Sequence, residues 1–89
     1  MDNCMGFGTA INSAKQGFKI AREGWNGKGM FVYYVPANEY KTTTDVAKKE
    51  FGETAKYNAY LAIKTVNGSV STWVPSINDC LAEDWLIVE

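Results

Sequence analysis

The residues best suited to holding a ligand lie in one glycine-rich stretch, Gly24-Trp25-Asn26-Gly27-Lys28-Gly29. Glycine lets the backbone approach a ligand closely, and successive N–H groups can then surround an anionic oxygen. Lys28 adds a positive charge, and Trp25 adds a flat surface for stacking. The spacing differs from the GxxxxGK[ST] pattern of a phosphate-binding loop. On spacing alone, a tight connection between two strands, with Trp25 in the core, is therefore the favoured interpretation.

A second group of candidate ligand contacts is found in the sequence Trp73-Val74-Pro75-Ser76. If Ser76 caps a helix, the N–H groups of the first turn and the Ser76 hydroxyl suit a phosphate or ribose oxygen. Trp73 would then offer a surface for stacking. The competing interpretation is a hairpin that ends in a helix cap, with Trp73 as a core or subunit-contact residue, and the residues alone favour it.

Three acidic residues near the C-terminus are the candidates for acid–base chemistry: Asp79, Glu83 and Asp84. Asp79 and Glu83 are four residues apart, which would place both on one helix face, where paired carboxylates can transfer protons or bind a divalent cation. A solvated face with a cap is the commoner use of this pattern. Cys80 falls on the predicted buried side of the same helix, so we interpret its thiol as structural.

The composition excludes several classes of function. The 89 residues include no histidine, which excludes Ser-His-Asp and Cys-His triads and histidine-ligated zinc. Two cysteines are too few for a disulfide scaffold or a four-thiolate metal site. The net charge of −1 argues against binding many nucleic-acid phosphates but permits one small phosphorylated ligand. With no leader pattern and no apolar stretch of about 20 residues, we expect a soluble cytoplasmic protein.

The N-terminal third of the chain predicts a helix followed by two strands. Apolar residues recur at the helical spacing over residues 7–17, and Gly17 follows as a stop signal. Residues 18–22 alternate between apolar and polar, whereas residues 30–35 are β-branched and aromatic. We therefore predict a strand on each side of the glycine-rich stretch.

Residues 60–66 and 69–74 predict a β-hairpin. They flank Asn67-Gly68, the preferred pair for a two-residue type I′ turn. That turn would fix the register and leave one largely apolar face for the core. The opposite face would collect three conspicuous side chains, namely Tyr60, Lys64 and Trp73, the last of them opposite Ala62.

The other segments give weaker signals. Residues 37–58 are polar and show no clear pattern beyond a helical turn near residues 46–51. Residues 76–84 predict a short helix, with Ser76 as the N-cap and Asp79 completing a variant of the capping box.

Together these elements predict a single α+β domain over residues 1–89. It would contain a small antiparallel sheet of about five strands, ending in a strand at residues 85–88, with an N-terminal helix and a short C-terminal helix. The N-terminal helix can cover one sheet face only, so the other face must tolerate water or meet another subunit.

Two blocks of the sequence carry a family resemblance. One is Ala21-Arg22-Glu23-Gly24-Trp25-Asn26-Gly27-Lys28-Gly29-Met30-Phe31, and the other is Leu81-Ala82-Glu83-Asp84-Trp85-Leu86-Ile87-Val88-Glu89. Further matching positions are Phe7-Gly8, Gly17, Ile63-Lys64-Thr65, Gly68, Trp73, Pro75, Ser76 and Asp79. This pattern resembles the second class of Thoeris anti-defense proteins, a family of small phage proteins. It covers nearly the whole chain except residues 37–58, which we cannot match.

The resemblance implies a non-catalytic sponge, a protein that binds a signal tightly and keeps it from its effector. In Thoeris immunity, a bacterial TIR enzyme converts NAD into a cyclic ADP-ribose isomer that activates a killer effector. This ligand offers an adenine to stack, two riboses and a diphosphate. On this basis we expect no catalytic residue, metal or cofactor. The expected ligand-binding residues are Trp25, Asn26, Gly27, Lys28, Met30, Tyr60, Trp73, Pro75, Ser76, Asn78 and Asp79.

The resemblance also implies the form and place of action. Family members assemble as oligomers, described as tetramers, with ligand pockets at the interfaces between protomers. The expected partner is therefore the small nucleotide signal together with further copies of the chain, and not DNA, RNA or a membrane. The expected location is the cytoplasm of the infected bacterial host.

Three alternatives remain open at this point. The protein could sequester cyclic dinucleotide signals, which are linked to some relatives. It could be an enzyme that degrades the signal, with Asp79, Glu83 or Asp84 as acid–base groups. It could also be a protein-binding module whose aromatic face docks a host protein.

Overall fold

The computed structural model describes residues 4–25 and 28–88. These residues form helices and strands in the order α1 Phe7–Lys15, β1 Lys19–Arg22, β2 Phe31–Val35, β3 Asn38–Lys41, α2 Asp45–Phe51, β4 Thr54–Tyr57, β5 Tyr60–Lys64, β6 Val70–Trp73, α3 Ile77–Leu81 and β7 Trp85–Val88. Five strands form one antiparallel sheet in the order β6-β5-β2-β1-β7. The predicted α+β class, with about five strands, an N-terminal helix and a short C-terminal helix, is confirmed.

One face of the five-stranded sheet is covered by α1. Ala10 and Ala14 of the helix are fully buried against Ile20, Val32 and Trp85 of the sheet. Because alanine has no side-chain atoms beyond Cβ, the helix can lie close to the strands without leaving voids. This layer forms the core of the domain.

The helix α1 ends near the predicted stop. Gly17 has a φ of 104°, a conformation that glycine adopts at little cost. Its N–H donates to the carbonyl of Ala14 at 2.9 Å, and the chain then turns back into β1.

The register of the β5–β6 hairpin corrects the sequence-based prediction. Trp73 lies opposite Leu61 instead of Ala62, so β6 is shifted by one residue. The cause is a three-residue connection: the N–H of Gly68 donates to the carbonyl of Thr65 at 3.0 Å, and Gly68 has a φ of 89°. A one-residue shift moves every β6 side chain to the other face. Trp73 therefore joins the core side, away from Tyr60 and Lys64.

Residues 38–57 form an arm that the sequence did not predict. Strands β3 and β4 pair with each other, and α2 connects them, which confirms only the predicted helical turn. The Thr42 hydroxyl is buried and donates to the Gly52 carbonyl at 2.7 Å. The rings of Tyr40 and Tyr57 meet edge to face at 5.8 Å. The two tyrosines thus hold the two strands of the arm together. The domain as a whole is elongated and measures 52 × 26 × 25 Å.

The C-terminal segment confirms some predictions and corrects others. The capping box of Ser76 and Asp79 is present, and β7 lies where predicted. However, α3 ends at Leu81, so Glu83 lies outside the helix and does not share a helix face with Asp79. Cys80 is exposed, which contradicts its predicted burial. Within the described residues, no helix is long and apolar enough to cross a membrane.

Candidate functional site

Four aromatic rings gather at one end of the core. Trp85 lies at the centre, with ring centroids 5.4 Å from Phe7, 5.4 Å from Trp25 and 6.0 Å from Trp73. Trp25 and Trp73 are also neighbours, at 6.2 Å and nearly edge to face. The helix α1, the glycine-rich stretch, β6 and β7 each contribute one ring. We call this group the aromatic cluster.

The members of the aromatic cluster differ in burial. Trp85 is fully buried, whereas Trp25 and Trp73 are partly buried and pack against the core. Large rings supply both packing area and a surface on which a ligand can stack. The two tryptophans predicted as stacking residues therefore lie side by side against the buried Trp85, and each retains some exposure.

The glycine-rich stretch begins in close contact with the C-terminal segment. The N–H of Gly24 donates to the Oδ2 of Asp84 at 3.0 Å, and a Cβ added at Gly24 would lie 3.1 Å from that oxygen. The N–H of Trp25 donates to the carbonyl of Arg22 at 3.2 Å. A side chain at position 24 would press against the Asp84 carboxylate, so glycine suits this contact. The predicted contacts Asn26 and Gly27 lie outside the described residues.

An ion-pair network connects the start of this stretch to α3. The Nε of Arg22 donates to Asp84 Oδ1 at 2.9 Å, and its second guanidinium nitrogen donates to Asp79 Oδ1 at 3.0 Å. Asp79 Oδ2 accepts from the N–H of Ser76 at 2.9 Å and from the Ser76 hydroxyl at 3.0 Å. The indole N–H of Trp85 donates to the Asp79 carbonyl at 2.9 Å. We call the unit formed by Arg22, Asp79 and Asp84 the arginine clip.

The arginine clip holds its two carboxyl groups in the ionised form. The hydrogen bond from Arg22 lowers the pKa of Asp84, against a smaller opposing effect of burial. Burial raises the pKa of Asp79, but the hydrogen bonds from Ser76 and Arg22 together outweigh it and lower the pKa overall. The hydrogen bonds from Arg22 to Asp84 and Asp79 raise the pKa of the guanidinium in turn. Such carboxylates suit fixed anionic contacts better than proton transfer near neutral pH.

The lowered pKa values predict an acid-sensitive contribution to stability. When the pKa of a carboxyl group is lower in the folded than in the unfolded protein, the group stabilises the fold fully at pH values above the unfolded pKa. This contribution is lost as the pH falls through the folded pKa. We expect Asp84→Asn to be less stable than the native protein at neutral pH. That difference should shrink once the pH falls below the ordinary value of 3.8. Urea unfolding followed by circular dichroism at several pH values measures it.

The exposed neighbour Glu83 provides the control for this prediction. Glu83→Gln removes the same kind of charge without touching the arginine clip, so its stability difference from the native protein should be small at neutral pH. A difference for Asp84→Asn that stays constant down to about pH 2 would contradict the prediction.

The structure brings together only some of the residues predicted to bind a ligand. Trp25, Trp73, Ser76 and Asp79 are joined through the aromatic cluster and the arginine clip. Tyr60 lies on the opposite face of the sheet, because it pairs with Val35 beside the core-facing Leu61. The other described candidates have differing exposure: Lys28 and Asn78 are exposed, and Met30 and Pro75 are partly buried.

The sequence-based prediction missed four residues of this region: Phe7, Arg22, Asp84 and Trp85. Phe7 was considered only as part of the predicted helix, and Asp84 only for acid–base chemistry. Arg22 and Asp84 are 62 residues apart in the chain, so no spacing rule joins them. The one available signal was the short C-terminal run that places Asp84 directly before the buried Trp85.

The sheet face opposite α1 carries a different set of groups. Alternation along paired strands places Lys19, Phe31, Tyr33 and Lys64 there. The ammonium groups of Lys19 and Lys64 lie 5.0 and 5.8 Å from the centre of the Phe31 ring. Lys64 also donates to the Gly29 carbonyl at 3.2 Å, which connects this face to the end of the glycine-rich stretch. We call it the open face.

A shallow groove lies at the base of the arm, away from the aromatic cluster. Its lining residues are Ala37, Asn38, Glu39, Lys56, Tyr57 and Asn58. Across residues 4–25 and 28–88, His, Cys, Asp and Glu side chains form no group of three or more able to hold a metal ion.

Comparison with known proteins adds an independent finding. The model of a family described as the Thoeris anti-defense 2-like domain matches residues 5–88. A protein named Thoeris anti-defense 2, from Bacillus phage SP01, is 36% identical over 88 residues. That alignment covers 99% of this chain and 99% of the relative.

Proposed function

This chain belongs to the Thoeris anti-defense 2-like family and so has a phage anti-defense role, and we propose that it acts as a sponge for a cyclic ADP-ribose isomer. It would bind the signal made by Thoeris TIR enzymes without cleaving it. The effector would then remain inactive in the cytoplasm of the infected host. The observation that best supports this proposal is the pair of partly buried tryptophans beside the arginine clip.

The adenine is proposed to stack on Trp25 or Trp73. Stacking of a base on an aromatic side chain contributes roughly 1–3 kcal/mol. Both rings pack against Trp85, at 5.4 and 6.0 Å, which fixes their orientation before the ligand arrives. A surface fixed in advance loses little conformational entropy on binding.

The riboses are proposed to contact Ser76 and Asp79. The Ser76 hydroxyl donates to Asp79 Oδ2 and accepts from the Asp79 N–H at 3.1 Å, so it has one acceptor site left and no donor. Asp79 accepts three hydrogen bonds from Arg22 and Ser76, which also leaves acceptor capacity. Remaining acceptors match ribose hydroxyls, which can donate, better than phosphate oxygens, which cannot. Asn26 and Asn78 are the other proposed ribose contacts.

The diphosphate is proposed to lie against the glycine-rich stretch. The N–H groups of Gly24 and Trp25 already donate to Asp84 and to the Arg22 carbonyl, so the later N–H groups of this stretch and the ammonium of Lys28 or Lys64 would supply the donors. Lys64 already contacts the Gly29 carbonyl, so its charge lies beside this stretch. The remaining proposed contacts from the sequence are Gly27, Met30 and Pro75. Tyr60 lies on the opposite face of the sheet and would reach this ligand only from another protomer.

Sequestration sets a demand on affinity that favours an oligomer. A sponge must compete with the effector, which requires a dissociation constant near nanomolar, or about −12 kcal/mol. We propose a homo-oligomer, a tetramer by the family resemblance, with the ligand enclosed between protomers. The open face supports association because no helix of the described chain covers it and it carries Phe31, Tyr33 and the exposed Tyr60 and Val70.

The protein is proposed to be a binder and not an enzyme. The acid–base candidates Asp79 and Asp84 are paired with Arg22, and hydrogen bonding lowers the pKa of both. A general acid must hold a proton near neutral pH, which these carboxylates do not favour.

The test is calorimetric titration of the protein with a cyclic ADP-ribose isomer taken from a Thoeris TIR reaction. The ligand is then released by heat and analysed by chromatography. We expect tight binding and recovery of intact ligand. Recovered fragments would instead indicate an enzyme, and the absence of heat would redirect the search to cyclic dinucleotides or a protein partner. Light scattering should give four times the 9.9 kDa chain mass if the tetramer is correct.

A further inference from the structure

The guanidinium of Arg22 is the point at which three separate chain segments meet. It lies at the end of β1, and it binds Asp79 of α3 and Asp84, the residue before β7. These partners are 57 and 62 residues away in the sequence. Each carboxylate then extends the connection, Asp84 to the N–H of Gly24 and Asp79 to Ser76.

The helix α3 lies beside α1 but buries little apolar surface there. It contains five residues, none of them buried, and its apolar residues Ile77 and Leu81 are 70% and 73% exposed. A helix this short is not stable by itself in water. The capping box closes the first turn of α3 on itself. The polar contacts that attach α3 to the rest of the domain are the arginine clip and the Trp85 indole bond to the Asp79 carbonyl.

We propose that Arg22 is a positioning residue for the ligand site, a role that rests on the proposed function. By holding Asp84 and Asp79 at once, it fixes the start of the glycine-rich stretch against the start of α3. The two proposed ligand-contacting segments then form one rigid edge beside Trp25 and Trp73. Rigid placement before binding lowers the conformational cost of capturing the ligand.

The chemistry of the clip requires arginine specifically. Two different guanidinium nitrogens reach two carboxylates at 2.9 and 3.0 Å. Lysine keeps the charge, but its single ammonium cannot reproduce the planar fork that serves both partners. Arg22→Lys therefore removes the bridge while the net charge stays constant.

A positioning role differs measurably from a purely stabilising one. The side chains of Arg22, Asp79 and Asp84 are 24%, 14% and 31% exposed. Ion pairs with this much solvent contact contribute only modestly to global stability, which is the small acid-sensitive effect predicted above for Asp84→Asn. Loss of the bridge should therefore change local order and ligand affinity far more than it changes the melting temperature.

The experiment measures hydrogen exchange by NMR in the ligand-free Arg22→Lys protein. The Gly24 amide reports the glycine-rich stretch, and the Trp85 indole N–H reports the attachment of α3. We expect both to exchange at least tenfold faster than in the native protein. The amides of Ile20 and Val32 in the core should be unchanged. Lys15→Arg, at the exposed end of α1, is the matched control and should change neither reporter.

Titration of the same variant with the cyclic ADP-ribose isomer completes the test. We expect affinity at least tenfold weaker, mainly through faster dissociation, with a melting temperature near that of the native protein. Unchanged exchange at both reporters overturns the inference, as does faster exchange with unchanged affinity. If the native protein itself fails to bind, the proposed function is wrong, whereas the exchange rates still decide whether Arg22 fixes the two segments.

Discussion

Trp85→Ala is expected to lower the free energy of unfolding by about 3–5 kcal/mol, the usual cost of removing a large aromatic side chain from a core. Trp85 is fully buried and lies at the centre of the aromatic cluster, within 6.0 Å of three other rings. Its removal leaves a cavity that Phe7, Trp25 and Trp73 all border. It also leaves the Asp79 carbonyl without the indole N–H. Because domains of this size have total stabilities of roughly 5–15 kcal/mol, much of the fold's stability depends on this residue.

Urea unfolding followed by circular dichroism measures this loss, and two further variants define it. Trp85→Phe keeps a ring in the core but lacks the indole N–H, so it should lose less, roughly 1–3 kcal/mol. This milder variant remains informative if Trp85→Ala does not fold. Val74→Ala is the exposed control, since Val74 is 85% exposed, and should change stability by less than about 0.5 kcal/mol. A loss below about 1.5 kcal/mol for Trp85→Ala would contradict the central role of the residue.

Elements with a strong local pattern could be predicted from the sequence. The helix α1 was predicted because its buried alanines recur with the helical period, and β2 because β-branched and aromatic residues follow one another. The arm was not predicted, because its strands are mostly polar and pair with each other and not with the five-stranded sheet. Their main stabilising features are Thr42 and the Tyr40–Tyr57 ring contact, and neither leaves a periodic signal.

The hairpin shows how a correct local signal can give a wrong register. Asn67-Gly68 favours a turn, but the same pair fits a two-residue type I′ turn or a three-residue connection with glycine in the left-handed conformation. The structure uses the second. The second turn is favoured because it places Trp73 opposite Leu61 and in contact with Trp85 in the core. These contacts join residues far apart in the sequence, so the turn residues alone cannot reveal them.

The candidate site was predicted where residue type alone is informative. Trp25, Trp73, Ser76 and Asp79 were identified because aromatic rings, caps and carboxylates have recognisable uses. The partnership of Arg22 with Asp79 and Asp84 could not be found, since the partners are 57 and 62 residues away in the sequence and no spacing rule joins them. Only the fold places them within hydrogen-bonding distance.

Trp25→Ala is expected to weaken binding of the cyclic ADP-ribose isomer by roughly 5- to 150-fold, which corresponds to the 1–3 kcal/mol of one stacked base. The ring is partly buried and contacts Trp73 and Trp85, so its removal also costs packing. Each aromatic pair contributes about 0.5–1.5 kcal/mol beyond the area it buries. Both the affinity and the free energy of unfolding should therefore fall, and the two effects must be separated.

Trp25→Phe makes that separation. Phenylalanine retains much of the contact with Trp85 and hence most of the stability, but it offers a smaller surface to the adenine, so affinity should fall between the native protein and Trp25→Ala. Phe51→Ala is the matched control, because Phe51 is 62% exposed on the arm and outside the aromatic cluster. Calorimetric titration and urea unfolding on all three variants give both quantities. Native affinity in Trp25→Ala, despite lower stability, would show that Trp25 is a packing residue and would leave Trp73 as the stacking surface.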